Sequence, residues 1–129
     1  MTLKFPEITV NARITIDGDI LMGLVTHIFE HDDYGSFRIA SYEGDVPKDA
    51  EWPRYVVAAV TTGCAVLIKD KYGDEPDTTY CIDSNSLEVG LQIMAEKYPK
   101  HFTDVLEDNC DVYTSDVLAQ CIAYGRLVY

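Results

Sequence analysis

The sequence predicts one α+β domain over residues 1–129, with an antiparallel sheet and short helices, three of which are C-terminal. Two observations lead to this class. Apolar residues recur at helical spacing through residues 85–125, whereas alternating or β-branched runs fill most of the chain before them. A chain of 129 residues also has the length of one domain. Such a domain buries roughly two-thirds of its unfolded surface, which is enough for a core without disulfides.

The N-terminal segment alternates between apolar and polar residues from Ile8 to Ile16, which predicts a half-buried strand. Asp17-Gly18 follows and leaves two interpretations open. It is either a hairpin turn before a second strand, Ile20–Phe29, or the approach to a helix that Asp19 caps. The helix is favoured because the apolar residues fall in one arc at about 100° per residue. The residues of this arc are Ile20, Leu21, Met22, Leu24, Val25, Ile28 and Phe29.

The middle of the chain is predicted to supply the rest of the sheet. Its strands are recognised by alternation or by their Val, Ala, Thr and Ile content. The predicted strands are Ser36–Tyr42, Tyr55–Thr62, Cys64–Lys69 and Thr79–Ile82, the second and third of them central and the last two forming a hairpin. Turns are expected at Asp32–Gly35 and Asp70–Thr78. The polar loop Glu43–Pro53 carries Trp52, which is either a core anchor or a contact residue.

The first C-terminal helix is predicted to begin at Asn85, with Glu88 completing a capping box, and to end at Pro99. Pro99 also suits the first position of the next helix, where its missing N–H does no harm. The apolar stripe of the first helix consists of Leu87, Leu91, Met94, Ala95 and Tyr98.

The second C-terminal helix has Phe102, Val105 and Leu106 on its apolar face. The third is predicted to be capped by Thr114 or Ser115 and closed by Gly125. Its inward residues are Val117, Leu118, Cys121, Ile122 and Tyr124. The last residues, 126–129, are expected to add a short strand or to pack as a tail.

The charge of the chain indicates the kind of partner. Asp and Glu number 22 against 10 Lys and Arg, for a formal charge of −12, and no Lys or Arg occurs between His101 and Gly125. A field of this sign repels nucleic acid and anionic membranes and speeds encounter with basic proteins. The predicted contact surface is acidic, with a tyrosine nearby: Asp104, Glu107, Asp108, Asp111, Tyr113 and Asp116. The nine tyrosines, most of them near turns or element ends, also suit interfaces.

Several other function classes lack a sequence signature. The four cysteines form no C-x-x-C pair, and no phosphate-binding glycine loop occurs, so no cofactor is expected. The acidic turn at Asp70–Asp77 does not match a calcium loop. No signal peptide or membrane span is predicted, and a reducing cytoplasm is the expected compartment.

One motif favours a different function. His27, Glu30 and His31 form an H-x-x-E-H sequence, which on a helix puts two imidazoles one turn apart. This motif resembles the inverted zincin signature of the insulin-degrading family of metallopeptidases. The resemblance implies that His27 and His31 bind Zn²⁺ and that Glu30 acts as general base. That family is much larger and uses a third, carboxylate ligand, for which the sequence offers no clear counterpart. A small zinc-dependent hydrolase is therefore the alternative function.

A second resemblance concerns Met94–Phe102 and Ala119–Gly125, whose sequences are similar to small acidic proteins of phages and mobile elements. It implies an accessory protein that inhibits a nucleic-acid-handling host-defence complex, such as a CRISPR effector or a restriction enzyme. The leading hypothesis is accordingly a non-enzymatic protein, similar in class to anti-CRISPR inhibitors, that binds a basic protein surface. A third hypothesis is an acidic subunit of a homo-oligomer.

Overall fold

The computed structural model describes residues 3–30, 35–44, 65–73, 75 and 77–129. Their elements are, in chain order, α1 (Gly18–Glu30), β1 (Phe37–Glu43), β2 (Ala65–Asp70), β3 (Tyr80–Ile82), α2 (Ser84–Lys97), α3 (Pro99–Leu106) and α4 (Val112–Tyr124). The three strands form one antiparallel sheet, and three of the helices follow it. The predicted α+β class is confirmed.

Strand β2 lies at the centre of the sheet, with β1 on one side and β3 on the other. Phe37 pairs with Asp70, and Val66 pairs with Ile82. Val66 and Ile82 are fully buried because the helices cover the sheet. The strands observed here confirm the predictions at Ser36–Tyr42 and Thr79–Ile82, and the central strand predicted at Cys64–Lys69 over its described residues.

Helix α4 lies at the centre of the core and contacts α1, α2, α3 and β3. Leu118 and Cys121 are almost completely buried, as their helical spacing predicts. Helix α2 approaches α4 closely at Gly90. A Cβ atom at that position would lie 2.5 Å from Cγ1 of Ile122, so the packing of these two helices requires a glycine.

Three helix N-termini differ from the sequence predictions, because an aspartate just ahead of α1, α2 and α4 is the cap. Asp83 caps α2 and Asp111 caps α4, each forming a capping box with the residue three positions later, Ser86 and Thr114. At α1 the carboxylate of Asp17 accepts a hydrogen bond of 2.7 Å from the N–H of Asp19. The predicted caps at Asp19, Asn85 and Thr114 or Ser115 are therefore wrong. At α2 and α4 the aspartate carboxylate also interacts favourably with the helix dipole, which neutral Asn85, Thr114 and Ser115 cannot do.

The other helix boundaries agree with prediction. Pro99 ends α2 and opens α3, and Gly125 closes α4 with a left-handed φ of 69°. The choice of helix over hairpin for Ile20–Phe29 is confirmed by α1. Two apolar positions are more exposed than predicted, Met22 on α1 and Leu106 at the end of α3. Both are about half exposed because the buried faces of these helices are narrower than their apolar arcs.

The predicted strand Ile8–Ile16 is wrong. Residues 3–17 form no helix or strand, and no described strand pairs with them. Alternation supplies an apolar face, but a strand also needs a neighbouring strand that hydrogen-bonds to its backbone N–H and C=O groups. No such neighbour is present among the described residues. We refer to residues 3–16 as the N-terminal arm.

The C-terminal residues pack as a tail rather than as a strand. The side-chain oxygen of buried Gln120 accepts hydrogen bonds from the N–H groups of Val128 and Tyr129, at 2.8 and 2.9 Å. The Tyr98 hydroxyl accepts a third from Leu127. Four predictions fall on residues outside the described ranges: the turn after Asp32, most of the loop Glu43–Pro53, the position of Trp52 and the strand Tyr55–Thr62.

Candidate protein-binding surface

The turn between α3 and α4 is held by its own backbone. The N–H of Glu107 donates to the carbonyl of Thr103 at 3.0 Å, and that of Asn109 donates to the carbonyl of Asp104 at 2.8 Å. Asp108 adopts a left-handed conformation with φ of 55°, the only non-glycine to do so among the described residues. Aspartate tolerates this region better than most side chains. The turn is therefore tight and closed by backbone hydrogen bonds.

Three carboxylates of this turn act on one thiol. Burial raises the pKa of Cys110, and the negative charges of Asp108, Asp104 and Asp111 raise it further. The Cys110 sulfur also lies 3.8 Å from the carbonyl oxygen of Asp104. The carboxylates thus lie close enough together to produce a common negative potential. That potential keeps the thiol protonated, so Cys110 is a poor nucleophile at neutral pH.

Most of the predicted contact residues lie at this turn, and we call Asp104, Glu107, Asp108 and Asp111 the acidic turn. Glu107 and Asp108 are exposed, and Asp104 is half-buried. Asp111 is exposed as well, although its carboxylate caps α4 and the hydrogen bond from the Thr114 N–H holds its pKa below the ordinary value. Tyr113 follows on α4 with 69% of its surface exposed.

Asp116 differs from the other predicted contact residues because its carboxylate has a structural role. It accepts hydrogen bonds from the N–H and the hydroxyl of Ser36, at 2.7 and 2.8 Å, and from the side chain of Gln120 at 2.9 Å. These bonds attach α4 to the start of β1. The Asp116 carboxylate is therefore occupied by hydrogen bonds within the protein, whereas Glu107 and Asp108 are exposed.

The H-x-x-E-H motif begins on a helix, as the metal interpretation requires, since α1 runs to Glu30. His27 is half-buried on that helix. The side chain of Glu30 and all of His31 lie outside the description. Among the described residues, no group of three His, Cys, Asp or Glu side chains is arranged to hold a metal ion.

Sequence reasoning missed a polar cluster at the end of β2. The carboxylate of Asp70 accepts hydrogen bonds from the hydroxyls of Tyr124 and Tyr129 and from the N–H of Tyr72. Partial burial of Asp70 raises its pKa, but these bonds outweigh that effect and the net pKa is lowered. The Tyr124 ring also packs edge-on against Tyr80, with centroids 5.2 Å apart. Tyr124 and Tyr129 thus join α4 and the tail to the sheet. The sequence pattern predicts only that Tyr124 faces inward, and it does not predict the contact with Asp70.

The remaining described cysteines offer no reactive centre. Cys81 and Cys121 are free thiols, and burial raises the pKa of Cys121 to about 11. Burial, followed by the charge of Asp83, raises the pKa of Cys81. Both side chains are therefore protonated at neutral pH and act as small packing residues, as the sequence predicts.

An open apolar groove of about 700 Å³ lies beside α2. Its walls are the inner end of the N-terminal arm, α1 and α2, with Ile14, Met22, Leu87 and Leu91 among the lining side chains. Arg13 and Glu88 contribute charges at its margin. The groove carries no cluster of catalytic groups among the described residues.

Comparison with known protein families, curated proteins and solved structures finds no match to this chain.

In the described part of the chain, no helix is both long and apolar enough to cross a membrane. The function is therefore inferred from the residues and their geometry, among which the acidic turn is the most distinctive surface.

Proposed function

We propose that this protein is a non-enzymatic binding protein that uses the acidic turn to recognise a basic surface on a protein partner. The observation that carries the proposal is the tight turn between α3 and α4, in which the Asn109 N–H donates to the carbonyl of Asp104 at 2.8 Å and the Asp104, Asp108 and Asp111 carboxylates lie within eight residues. No Lys or Arg occurs from His101 to Gly125 to neutralise these charges within the same segment. A cationic partner would meet an uncompensated negative potential there.

The turn has further properties that suit recognition. Leu106, 45% exposed, and Tyr113, 69% exposed, flank the carboxylates and supply apolar area. Tyrosine is enriched at binding hot spots because it combines a large surface with a polar tip. The backbone hydrogen bonds of the turn favour one conformation, which reduces the entropy lost on binding. The combination of charge, apolar area and a hydrogen-bonded turn is typical of a protein interface.

The partner class that fits this surface is a nucleic-acid-handling protein. Such proteins neutralise phosphates with clustered Lys and Arg, and an array of carboxylates can occupy the same cations. The resemblance of Met94–Phe102 and Ala119–Gly125 to phage and mobile-element proteins supports an inhibitor of a host-defence complex, acting in the cytoplasm. Both statements are part of the proposal.

Matched charge variants test the proposal. The site variant is Glu107→Gln/Asp108→Asn, in which Asn tolerates the left-handed backbone at position 108. The control variant is Asp77→Asn/Glu96→Gln, at exposed positions away from the turn. Each variant changes the formal charge from −12 to −10. The wild type and the two variants are each immobilised and exposed to a bacterial host lysate. The proteins that they retain are then quantified by mass spectrometry.

We expect the wild type and the control to enrich the same basic nucleic-acid-binding proteins, and the site variant to lose most of them. Elution by moderate salt is expected, because exposed charges are screened within about 8–10 Å at such ionic strengths. If both variants lose binding equally, only bulk charge matters and the acidic turn is not a site. If neither loses it, another surface binds the partner.

A further inference from the structure

The N-terminal arm leaves an unusual amount of apolar surface in contact with solvent. Phe5 is 98% exposed, and Ile8 and Val10 are each 77% exposed. Residues 3–16 form no hydrogen bond to any described residue. Backbone N–H and C=O groups without partners among the described residues, next to exposed apolar side chains, favour pairing with another strand. The arm therefore has the composition of a strand without its partner.

The alternation of the arm sorts its residues onto two faces. In extended geometry, side chains of one parity share a face, so Ile8, Val10, Ala12, Ile14 and Ile16 lie together. The inner part of the arm, from Ala12 to Ile16, lines the apolar groove between α1 and α2. Ile16 packs against the hydrophobic core. Ile8 and Val10, farther out on the arm, do not line the groove and are each 77% exposed.

The charge of the arm sets it apart from the rest of the molecule. Lys4 and Arg13 against Glu7 give residues 3–16 a net charge of +1, within a chain of −12. Outside the arm the chain is strongly negative, so these parts of two copies repel one another. Two arms, each with a net charge of +1, repel one another only weakly. Contact between copies is therefore most favourable through the arms.

We propose that two copies of this protein form a two-fold dimer in which residues 7–13 of the arms pair as an antiparallel ribbon. In the register that places Val10 opposite the partner's Val10, Glu7 lies opposite the partner's Arg13, and Arg13 lies opposite the partner's Glu7. Opposite charges that face each other across strands are stabilising, and like charges are destabilising. Ile8 then faces the partner's Ala12 on the apolar side.

Two other features agree with this register. Pro6 falls just outside the paired residues, where its missing N–H removes no hydrogen bond from the ribbon. The two-fold axis passes through Val10, so each contact occurs twice, as in most symmetric dimers. On the apolar side of the ribbon, Ile8 and Val10 would pack beside the partner's Ala12 and Val10, which removes part of their surface from water.

Charge exchange tests both the dimer and its register. The dimer Kd is measured by sedimentation equilibrium at about 150 mM salt, where the Debye length is about 8 Å. The samples are the wild-type full chain, Glu7→Arg, Arg13→Glu and an equimolar mixture of the two variants. Each variant alone places like charges opposite each other, so we expect the dimer Kd to rise about tenfold. In the mixture, a dimer of one copy of each variant has opposite charges at both pairs. The mixture should therefore regain the wild-type affinity to within about threefold.

Lys4→Glu is the control, because it changes net charge as Arg13→Glu does but lies outside the paired residues. It should leave the Kd within about threefold of wild type. Positions 4, 7 and 13 are exposed, so the far-ultraviolet circular dichroism of every variant should match that of wild type. A wild-type protein that stays monomeric at all concentrations overturns the proposal. A dimer that neither single variant weakens, or a mixture that does not recover, overturns it as well.

Discussion

At the residue scale, Asp111 and Asp116 show why equivalent-looking carboxylates have different roles. Asp111 precedes α4 and Asp116 lies within it, and both belong to the segment without Lys or Arg. Asp111 caps the helix from an exposed position, while Asp116 accepts hydrogen bonds from Ser36 and Gln120. The second role depends on a contact with β1, which is distant in sequence. Helical periodicity alone could therefore not separate the structural carboxylate from those at the acidic turn.

Gly90 gives a prediction at the same scale. Alanine at this position would place its Cβ 2.5 Å from Ile122 and 3.2 Å from Leu118. Overpacking of this kind typically costs about 1–3 kcal/mol, which offsets or exceeds the roughly 1 kcal/mol that alanine gains over glycine inside a helix. We expect Gly90→Ala to lower the free energy of unfolding by about 1 kcal/mol, measured by urea denaturation.

Gly23 of α1 supplies the matched control, since an added Cβ there meets nothing within 4 Å. Gly23→Ala should raise the free energy of unfolding by about 0.5–1 kcal/mol through helix propensity alone. A Gly90→Ala protein that is stabilised as much as Gly23→Ala would contradict the close approach of α2 and α4.

At the element scale, local signals placed the elements well and their ends less well. The alternation of Ser36–Tyr42 and the stripe of Leu87, Leu91 and Met94 were sufficient to predict β1 and α2. Pro99 and Gly125 were predicted because each acts through its own backbone. The cap of α2 differs from its prediction because the favourable pair Asn85 and Glu88 competes with the stronger carboxylate of Asp83. The arm was misassigned because alternation says nothing about a neighbouring strand.

The aspartate caps predict how stability depends on pH. The hydrogen bond from the Ser86 N–H lowers the pKa of Asp83, and that from the Thr114 N–H lowers the pKa of Asp111, both from 3.8. A carboxyl group whose pKa is lower in the folded state stabilises the fold above its unfolded pKa. That contribution is lost as the pH falls through the folded pKa. Unfolding free energy should therefore decrease as the pH is lowered from about 5 towards 2.

Asp83→Asn/Asp111→Asn tests whether the caps cause part of that decrease. Asparagine is an equally good N-cap but does not titrate, so stability at pH 7 should change little. The slope of unfolding free energy against pH should become shallower in the acid range, as measured by chemical denaturation at several pH values. An unchanged slope would show that other carboxyl groups, such as Asp70, account for the whole effect.

At the scale of the whole molecule, net charge and its arrangement have different consequences. A formal charge of −12 was evident from composition, and it predicts solubility and repulsion of nucleic acid as readily as it predicts recognition. Only the structure shows that Asp104, Asp108 and Asp111 are carried by a tight, hydrogen-bonded turn between α3 and α4. The proposed contact surface is therefore distinguished by the position of its carboxylates rather than by their number.

The most direct test of the acidic turn is the salt dependence of association with a partner captured as described above. Association rate constants are measured by stopped flow for wild type, Glu107→Gln/Asp108→Asn and Asp77→Asn/Glu96→Gln from low to moderate salt. We predict that the site variant associates about tenfold more slowly than wild type at low salt and that the difference shrinks as salt rises. The control should stay within about twofold of wild type. Equal slowing of both variants at every salt concentration would contradict a specific acidic site.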